Sequence, residues 1–225
     1  MIAEMSAAPA RRGLAIAFAL CGVATLLLLS SHPAGGGATL ADILKHEAQN
    51  QRVDGLVHGG MVVVLTALIV CFVLLARLLG QGKARVTTGL VSFCVGSGAL
   101  MASMLLDGFA TPAIAVRFAG VELPADLAIA KTSLILLGTV IRFLMPMGLL
   151  FQAVAMLAFS AVIVTGAGLR RIIGVFGVAA ALSIVGATLA VPPPMAGHVM
   201  LGCILLLAIW YLTLTPVLLD GRSWG

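Results

Sequence analysis

Six apolar segments, each close to or above the length of a membrane-spanning helix, constrain this chain more than any other feature of its sequence. A helix needs about 20 consecutive apolar residues to cross a hydrocarbon core roughly 30 Å thick. The segments run from Leu14 to Ser30, Leu56 to Leu79, Val86 to Leu106, Ala128 to Thr165, Ile172 to Val191 and Gly197 to Leu219. The sequence therefore predicts an all-α membrane bundle of six transmembrane helices, with residues 1–225 forming a single membrane domain.

The composition excludes a water-soluble fold. Of the 225 residues, 61% are hydrophobic and 9% are charged, whereas about 25% of the residues in a soluble domain are charged. The formal net charge is +5, but the basic residues lie at the ends of apolar segments and form no stripe. We therefore expect the lipid bilayer as a partner and no nucleic acid.

The basic residues indicate an orientation, because short loops rich in Lys and Arg stay in the cytoplasm. If the N-terminus is inside, these basic residues are cytoplasmic: Arg11, Arg12, Arg77, Lys83, Arg85, Arg170, Arg171 and Arg222. Most acidic residues then fall on the other side: Asp42, Glu47, Asp54, Asp107, Glu122 and Asp126. The pattern predicts a multi-pass protein of a bacterial inner membrane with both termini in the cytoplasm.

A second interpretation concerns the first apolar segment. Arg11 and Arg12 precede it, and small residues follow between Pro33 and Ala38, an arrangement that also occurs in cleaved signal peptides. Cleavage would leave five spans and would move no later loop. We favour six spans because the segment is longer than the 7 to 15 residues of a typical signal core.

The first and third loops are predicted to form a small extracytoplasmic cap. Residues Thr39 to Arg52 have apolar residues at helical spacing, with Thr39 and Asp42 as a capping pair, and we expect an amphipathic helix on the membrane surface. The loop from Gly108 to Leu127 contains prolines and glycines and should be irregular. The fourth span is longer than a bilayer requires, and a kink is expected near Pro146.

Small residues recur at helical spacing in the third span. Ser92, Gly96, Ala99 and Ser103 share one helix face. Such faces let two membrane helices approach closely, so we expect this face to contact another helix.

Polar residues near the predicted outer ends of the spans form the candidate site. His58 lies in the first turn of the second span, His198 in the first turn of the sixth, and Asp107 in the last turn of the third. Arg142 lies in the outer half of the fourth span, where a charge usually faces protein or water. We expect Arg142 to pair with Asp107, and the pattern predicts an extracytoplasmic polar cluster of these residues: His58, Asp107, Arg142 and His198.

Two interpretations of this cluster stay open. In the functional one, His58 and His198 bind a metal ion with Asp107 as a further ligand, since imidazole and carboxylate are common metal ligands. Haem b bound by the two histidines is a weaker alternative, because no further histidine pair occurs within the spans. In the structural one, the histidines bond to loop backbone and the Arg142 pair fixes two helices, so that no cofactor is needed.

Other chemistry has less support. Ser97 lies between two glycines, but Val95 stands where an intramembrane serine protease motif needs its first glycine. We therefore expect no catalytic residues and no enzyme. Gln152, deep in the fourth span with Pro146 one and a half turns before it, is a candidate intramembrane polar site of a small-solute or proton-coupled transporter.

Four short motifs carry a resemblance: His32-Pro33, Val57-His58-Gly59, Asp107-Gly108-Phe109 and Trp210-Tyr211. In their order the chain resembles some uncharacterised bacterial multi-spanning membrane proteins. The resemblance implies a membrane location and no particular activity. With few charges and many packing glycines and alanines, an accessory or structural membrane subunit is our leading expectation, partnered by other membrane subunits or by a second copy of the chain.

Overall fold

The computed structural model describes residues 2–33, 36–190 and 197–220. Its elements are α1 (Ile2–Ser30), α2 (Leu40–Leu79), α3 (Ala84–Leu105), a π-helical turn (Leu106–Ala110), α4 (Thr111–Phe118), α5 (Pro124–Ile163), α6 (Leu169–Ala190) and α7 (Gly197–Leu219). Six helical stretches in the described part are long and apolar enough to cross a membrane. The predicted all-α bundle of six spans is confirmed, while Val191 and Arg222 lie outside the described residues.

Two helices are much longer than a bilayer is thick. α2 and α5 each contain 40 residues, or about 60 Å at 1.5 Å per residue, against a hydrocarbon core of roughly 30 Å. In α2, charged residues are frequent before Leu56, and only Arg77 follows it. The part of α2 before Leu56 therefore extends beyond the membrane-crossing part. We call the end of the bundle that carries this extension the outer end.

The extension of α2 corrects one expectation. The stretch from Thr39 to Arg52 is continuous with the second span and is not a separate surface helix, because Gly55 alone does not break the helix. The predicted capping pair is confirmed: the Thr39 side chain accepts a hydrogen bond from the Asp42 backbone N–H, and the Asp42 carboxylate accepts one from the Thr39 N–H.

The irregular loop expected from Gly108 to Leu127 is present only at residues 119–123. The helix continues through the π-helical turn and α4 to Phe118. The Thr111 N–H donates to the Leu106 carbonyl, which is an i to i+5 hydrogen bond. Pro112 has no N–H to offer the Gly108 carbonyl, and the wider turn just before it accommodates that loss.

Small residues allow a close helix contact between α3 and α5. A Cβ atom added at Gly96 would lie 2.9 Å from the Gly148 carbonyl oxygen, so the two backbones touch. Ser92, Gly96 and Ser103 are buried, as expected for the small face of the third span. α5 contains Pro146 and runs on to Ile163 as one helix.

Aromatic rings fill the core below the outer end. The Phe72 ring centroid lies 4.0 Å from that of Phe93, 5.1 Å from those of Phe18 and Phe159, and 5.5 Å from that of Trp210. At the opposite end, Arg170 Nε lies 3.7 Å from Asp220 Oδ2, which joins the start of α6 to the end of α7. These contacts hold the membrane-crossing part together.

A second, smaller apolar cluster lies at the outer end. Leu44 of α2, Ala115 of α4 and Ala130 of α5 are buried against one another. The helical extensions thus form a cap that packs beside the residues described next.

Candidate metal centre at the outer end

His58 of α2 is packed against the π-helical turn. The histidine is 6% exposed, and a Cβ atom at Gly108 would overlap the Cβ and Cγ atoms of the His58 side chain. A glycine is therefore required where the turn crosses the imidazole. This close approach places the neighbouring Asp107 beside the same ring.

The hydrogen-bond partners of His58 define which of its ring nitrogens carries the hydrogen. His58 Nδ1 lies 3.0 Å from the Asp54 carbonyl oxygen, and a carbonyl only accepts, so Nδ1 carries the hydrogen. His58 Nε2 lies 3.3 Å from Asp107 Oδ2. When the imidazole is neutral, His58 Nε2 and Asp107 Oδ2 are both hydrogen-bond acceptors, and they repel each other. A second proton or a cation is needed for a favourable contact at Nε2.

His32, just after the end of α1, approaches the same ring. The His32 and His58 centroids are 5.0 Å apart with the ring planes at 75°. His32 Nδ1 lies 2.8 Å from the Pro33 carbonyl oxygen, so it too donates from Nδ1. Backbone carbonyls therefore orient both rings and leave each Nε2 as the nitrogen with a free lone pair, which is how metal-binding histidines are commonly held.

Asp54 completes a group of metal-ligand side chains. One nitrogen of His32, one nitrogen of His58 and one carboxylate oxygen of Asp54 all lie within 4.8 Å of one another. Asp54 is 6% exposed and His32 is exposed, so the group is open to solvent on one side. Two imidazoles and a carboxylate are a ligand set that first-row transition metals favour.

The local charge also favours a cation. The carboxylates of Glu47, Asp54 and Asp107 are close enough to repel one another, and Glu47 is half-buried. The Asp107 side chain is 42% exposed, but burial of Glu47 and Asp54 penalises their charged forms, and a proton or a metal ion would relieve that cost. The arrangement can therefore bind a divalent cation and gain stability in doing so.

The sequence-predicted site residues divide into two groups. His58 and Asp107 come together, whereas His198 is exposed at the start of α7. In the part of the chain that the structure describes, α7 meets α2 in the core through the Trp210 and Phe72 rings, and no ion pair or hydrogen bond joins His198 to His58 or Asp107. His198 therefore lies outside the cluster, and the expected convergence of three helix ends is wrong for this residue.

The predicted ion pair between Arg142 and Asp107 is not formed. Both residues line one groove, but the only ion pair of Asp107 among the described residues is with His58. Arg142 is exposed and has no ion pair within the described ranges. The π-helical turn brings the Asp107 carboxylate to His58 of α2 instead, at the edge of the groove that Arg142 also lines.

Gln152 is a buried tie between helices. Its side chain is 1% exposed; Nε2 donates to Ser97 Oγ at 2.8 Å, and Oε1 accepts from the Tyr211 hydroxyl at 3.3 Å. The bonds link α5 to α3 and α7. The amide is engaged on both sides with protein, so its geometry gives no support to substrate binding in the span.

His32 and Asp54 are the members of the cluster that sequence reasoning missed. Asp54 precedes His58 by one helical turn, a spacing that places the two side chains on one face of α2. This spacing predicts that Asp54 joins the cluster only if α2 begins before Leu56. The position of His32 depends on how the chain leaves α1, which no local pattern specifies.

The fold and this cluster define a polytopic α-helical membrane protein with a histidine and aspartate site at one end of the bundle. No family model, curated protein or solved structure matches the chain.

Proposed function

We propose that this membrane protein binds a divalent first-row transition-metal ion at its outer end, through His32, Asp54 and His58. The carrying observation is that three ligand-type side chains lie within 4.8 Å of one another, although they come from two separate segments. Asp107, in contact with His58 Nε2, is the fourth ligand or the carboxylate that balances the charge.

The ligand chemistry favours a metal ion over haem. Imidazole nitrogens and carboxylate oxygens suit ions such as Zn²⁺ and Cu²⁺. Two axial histidines of a haem bind from opposite faces of the macrocycle. The His32 and His58 rings lie edge to face with their centroids 5.0 Å apart, which leaves no room for a porphyrin between them.

Zinc titration of the purified protein tests this proposal. The protein in detergent is stripped with a chelator, dialysed and titrated with Zn²⁺ by calorimetry. We expect one site per chain, and we expect His32→Ala and His58→Ala each to weaken zinc binding at least about tenfold. His198→Ala is the matched control, because His198 is an exposed histidine at the same end of the bundle, and it should bind zinc like the parent protein.

The titration also identifies failure. If the parent protein takes up no Zn²⁺ or Cu²⁺, or if His58→Ala and His198→Ala bind them equally well, the cluster is not a metal site. The histidines and carboxylates would then serve only to join α1, α2 and the π-helical turn.

A second candidate, an accessory or structural membrane subunit, is favoured by the outer half of α5. Ile129, Leu136, Val140 and Phe143 are exposed and share one helix face at spacings of seven, four and three. Such a stripe suits a second copy of this chain. Oxidative cross-linking of Leu136→Cys should give dimers, while Val63→Cys, exposed on α2, should not; equal yields would argue against a specific contact.

We also propose the bacterial inner membrane as the location, with both termini in the cytoplasm. The support is the distribution of basic residues: Lys83, Arg85 and Arg171 lie at the end opposite the histidine cluster. Transport is not proposed, since the geometry of Gln152 does not favour it.

A further inference from the structure

A groove at the outer end runs along α5, beside parts of α2, the π-helical turn and α7. It encloses about 610 Å³. One wall is α5, and the other is formed by α2, the π-helical turn and α7. The α5 wall carries Lys131 and Arg142, and the facing wall carries Leu40, Ile43, Asp107 and Met200. Most of the lining is apolar, and two of the three charged side chains are cations.

The two cations lie on one face of α5. Lys131 and Arg142 are separated by three helical turns, with Gly138 between them on the same wall. Both side chains are exposed, and neither forms an ion pair with any residue that the structure describes. The groove therefore presents unbalanced positive charge along an apolar wall.

The position of Arg142 along α5 matches the depth of a lipid headgroup in the membrane. Arg142 lies about 30 Å along α5 from Ile163, at 1.5 Å per residue, and the hydrocarbon core is roughly 30 Å thick. If Ile163 marks one edge of that core, the guanidinium reaches the other edge. Lipid phosphates lie just beyond that edge, and Arg binds phosphate through paired hydrogen bonds.

The one carboxylate in the groove, that of Asp107, does not prevent a lipid phosphate from binding there. Asp107 lines the groove, but its carboxylate contacts His58 Nε2 at 3.3 Å, where a proton or a cation is required for a favourable contact. It is one carboxylate against two cations among the lining side chains, which leaves the groove with a positive formal charge. Lys131 and Arg142 therefore make the electrostatic potential in the groove positive.

We propose that this groove binds one anionic phospholipid, with its phosphate at Arg142. The headgroup lies beside Gly138 towards Lys131, and an acyl chain runs inward past Met145, Pro146 and Met200. A bilayer lipid is the favoured source of phosphate, because the apolar wall continues inward from Arg142 and free phosphate has no group to place there. The site borders the proposed metal site at Asp107 and does not require a bound metal ion.

Native mass spectrometry of the whole protein in detergent tests the proposal. Chelator-treated protein is incubated with phosphatidylglycerol, phosphatidylcholine or inorganic phosphate, and the lipid-bound fraction is measured. We expect binding of phosphatidylglycerol, with at least a fivefold smaller bound fraction for Arg142→Gln and a smaller decrease for Lys131→Gln. Arg117→Gln is the matched control, since Arg117 is an exposed cation on α4 outside the groove.

A second variant separates groove shape from charge and guards against misfolding. A Cβ atom at Gly138 would meet nothing within 4 Å, and Leu is a better helix former than Gly, so Gly138→Leu should fold. It should reduce phosphatidylglycerol binding, whereas Gly98→Leu, at an equally open position on α3, should not. Equal binding of phosphatidylglycerol by Arg142→Gln and Arg117→Gln overturns the proposal, as does equal binding of phosphatidylcholine or a similar response to inorganic phosphate.

Discussion

At the scale of single residues, the π-helical turn controls how closely α2 and the chain after α3 approach each other. Gly108 touches the Cβ and Cγ atoms of His58, and the Asp107 carboxylate consequently meets His58 Nε2 at 3.3 Å. Any side chain at residue 108 pushes the turn away from the imidazole. The contact between the two titratable groups therefore depends on a residue that carries no charge.

Gly108→Ala tests this dependence. The added methyl group overlaps the imidazole, and overpacking of a closely packed contact destabilises a protein by about 1 to 3 kcal/mol. We expect a lower midpoint of thermal unfolding in detergent and weaker zinc binding. Gly98→Ala adds the same methyl group at a helical position with no atom within 4 Å. A decrease of the same size in both variants would show that packing against His58 is not the cause.

Asp54→Asn separates stability from metal binding. Burial penalises the charged form of the Asp54 carboxylate and Asp107 repels it, which together raise its pKa, so the neutral amide should raise the thermal midpoint of the metal-free protein at neutral pH. The same change removes a charged ligand and should weaken zinc binding about tenfold or more. The gain in stability should shrink in acid, where an aspartate is protonated anyway. If both quantities fall together, the variant has damaged the fold.

At the scale of elements, the first turn of α2 anchors the outer end. The capping box of Thr39 and Asp42 satisfies backbone donors at the start of a 40-residue helix. Leu44, one turn further on, packs against Ala115 of α4 and Ala130 of α5. The cap is therefore an assembly of helix ends, and its order depends on the turn that begins α2.

Thr39→Ala should loosen this start of α2. Loss of the Thr39 side chain from the cap costs about 1 kcal/mol, and the effect should be confined to the first turns. Amide hydrogen exchange of residues 40–44 should accelerate several-fold, while exchange near Phe72 should stay unchanged. The comparison variant is Thr66→Ala, since the Thr66 hydroxyl bonds only to a carbonyl of its own helix. Unchanged exchange at residues 40–44 would mean that tertiary packing alone holds them.

The sequence predicts the spans well and the outer end poorly, and the reason is the range of each signal. Apolar length and the capping pair are local, and both are present in the structure. The prolines and glycines between Gly108 and Leu127 predict an irregular loop, because a π-helical turn has no local signature. The meeting of His58 with Asp107 followed from the antiparallel order of two spans. The approach of His32, and the absence of Arg142 from the cluster, depend on tertiary packing.

At the scale of the whole molecule, the two ends of the bundle differ in chemistry. One end holds His32, Asp54, His58 and Asp107, and the other holds the Arg170 and Asp220 contact with the basic turn around Lys83. Such an asymmetry of basic residues gives a membrane protein a preferred orientation. The histidine cluster and the groove then open on the same side of the membrane.

Reporter fusions test this orientation. A reporter that is active only in the cytoplasm should work when fused after Gly225 or inserted at Gly82 in the turn between α2 and α3, because the proposed orientation puts the basic Lys83 and Arg85 on the cytoplasmic side. A periplasmic reporter inserted at Gly120, between α4 and α5, should work instead. Activity in the opposite pattern would place the outer end in the cytoplasm while leaving the helices as they are.

The π-helical turn makes chain length a determinant of the cap. A π turn winds more residues into each turn than an α turn does. Deleting Phe109 would restore regular spacing and rotate α4 by about 100° relative to α3. Ala115 would then face away from Leu44 and Ala130, although every remaining side chain of the cluster was kept. The one additional residue of the π-helical turn thus sets the rotation of α4 about its axis. A single-codon deletion would therefore disturb the outer end in a way that few point substitutions reproduce.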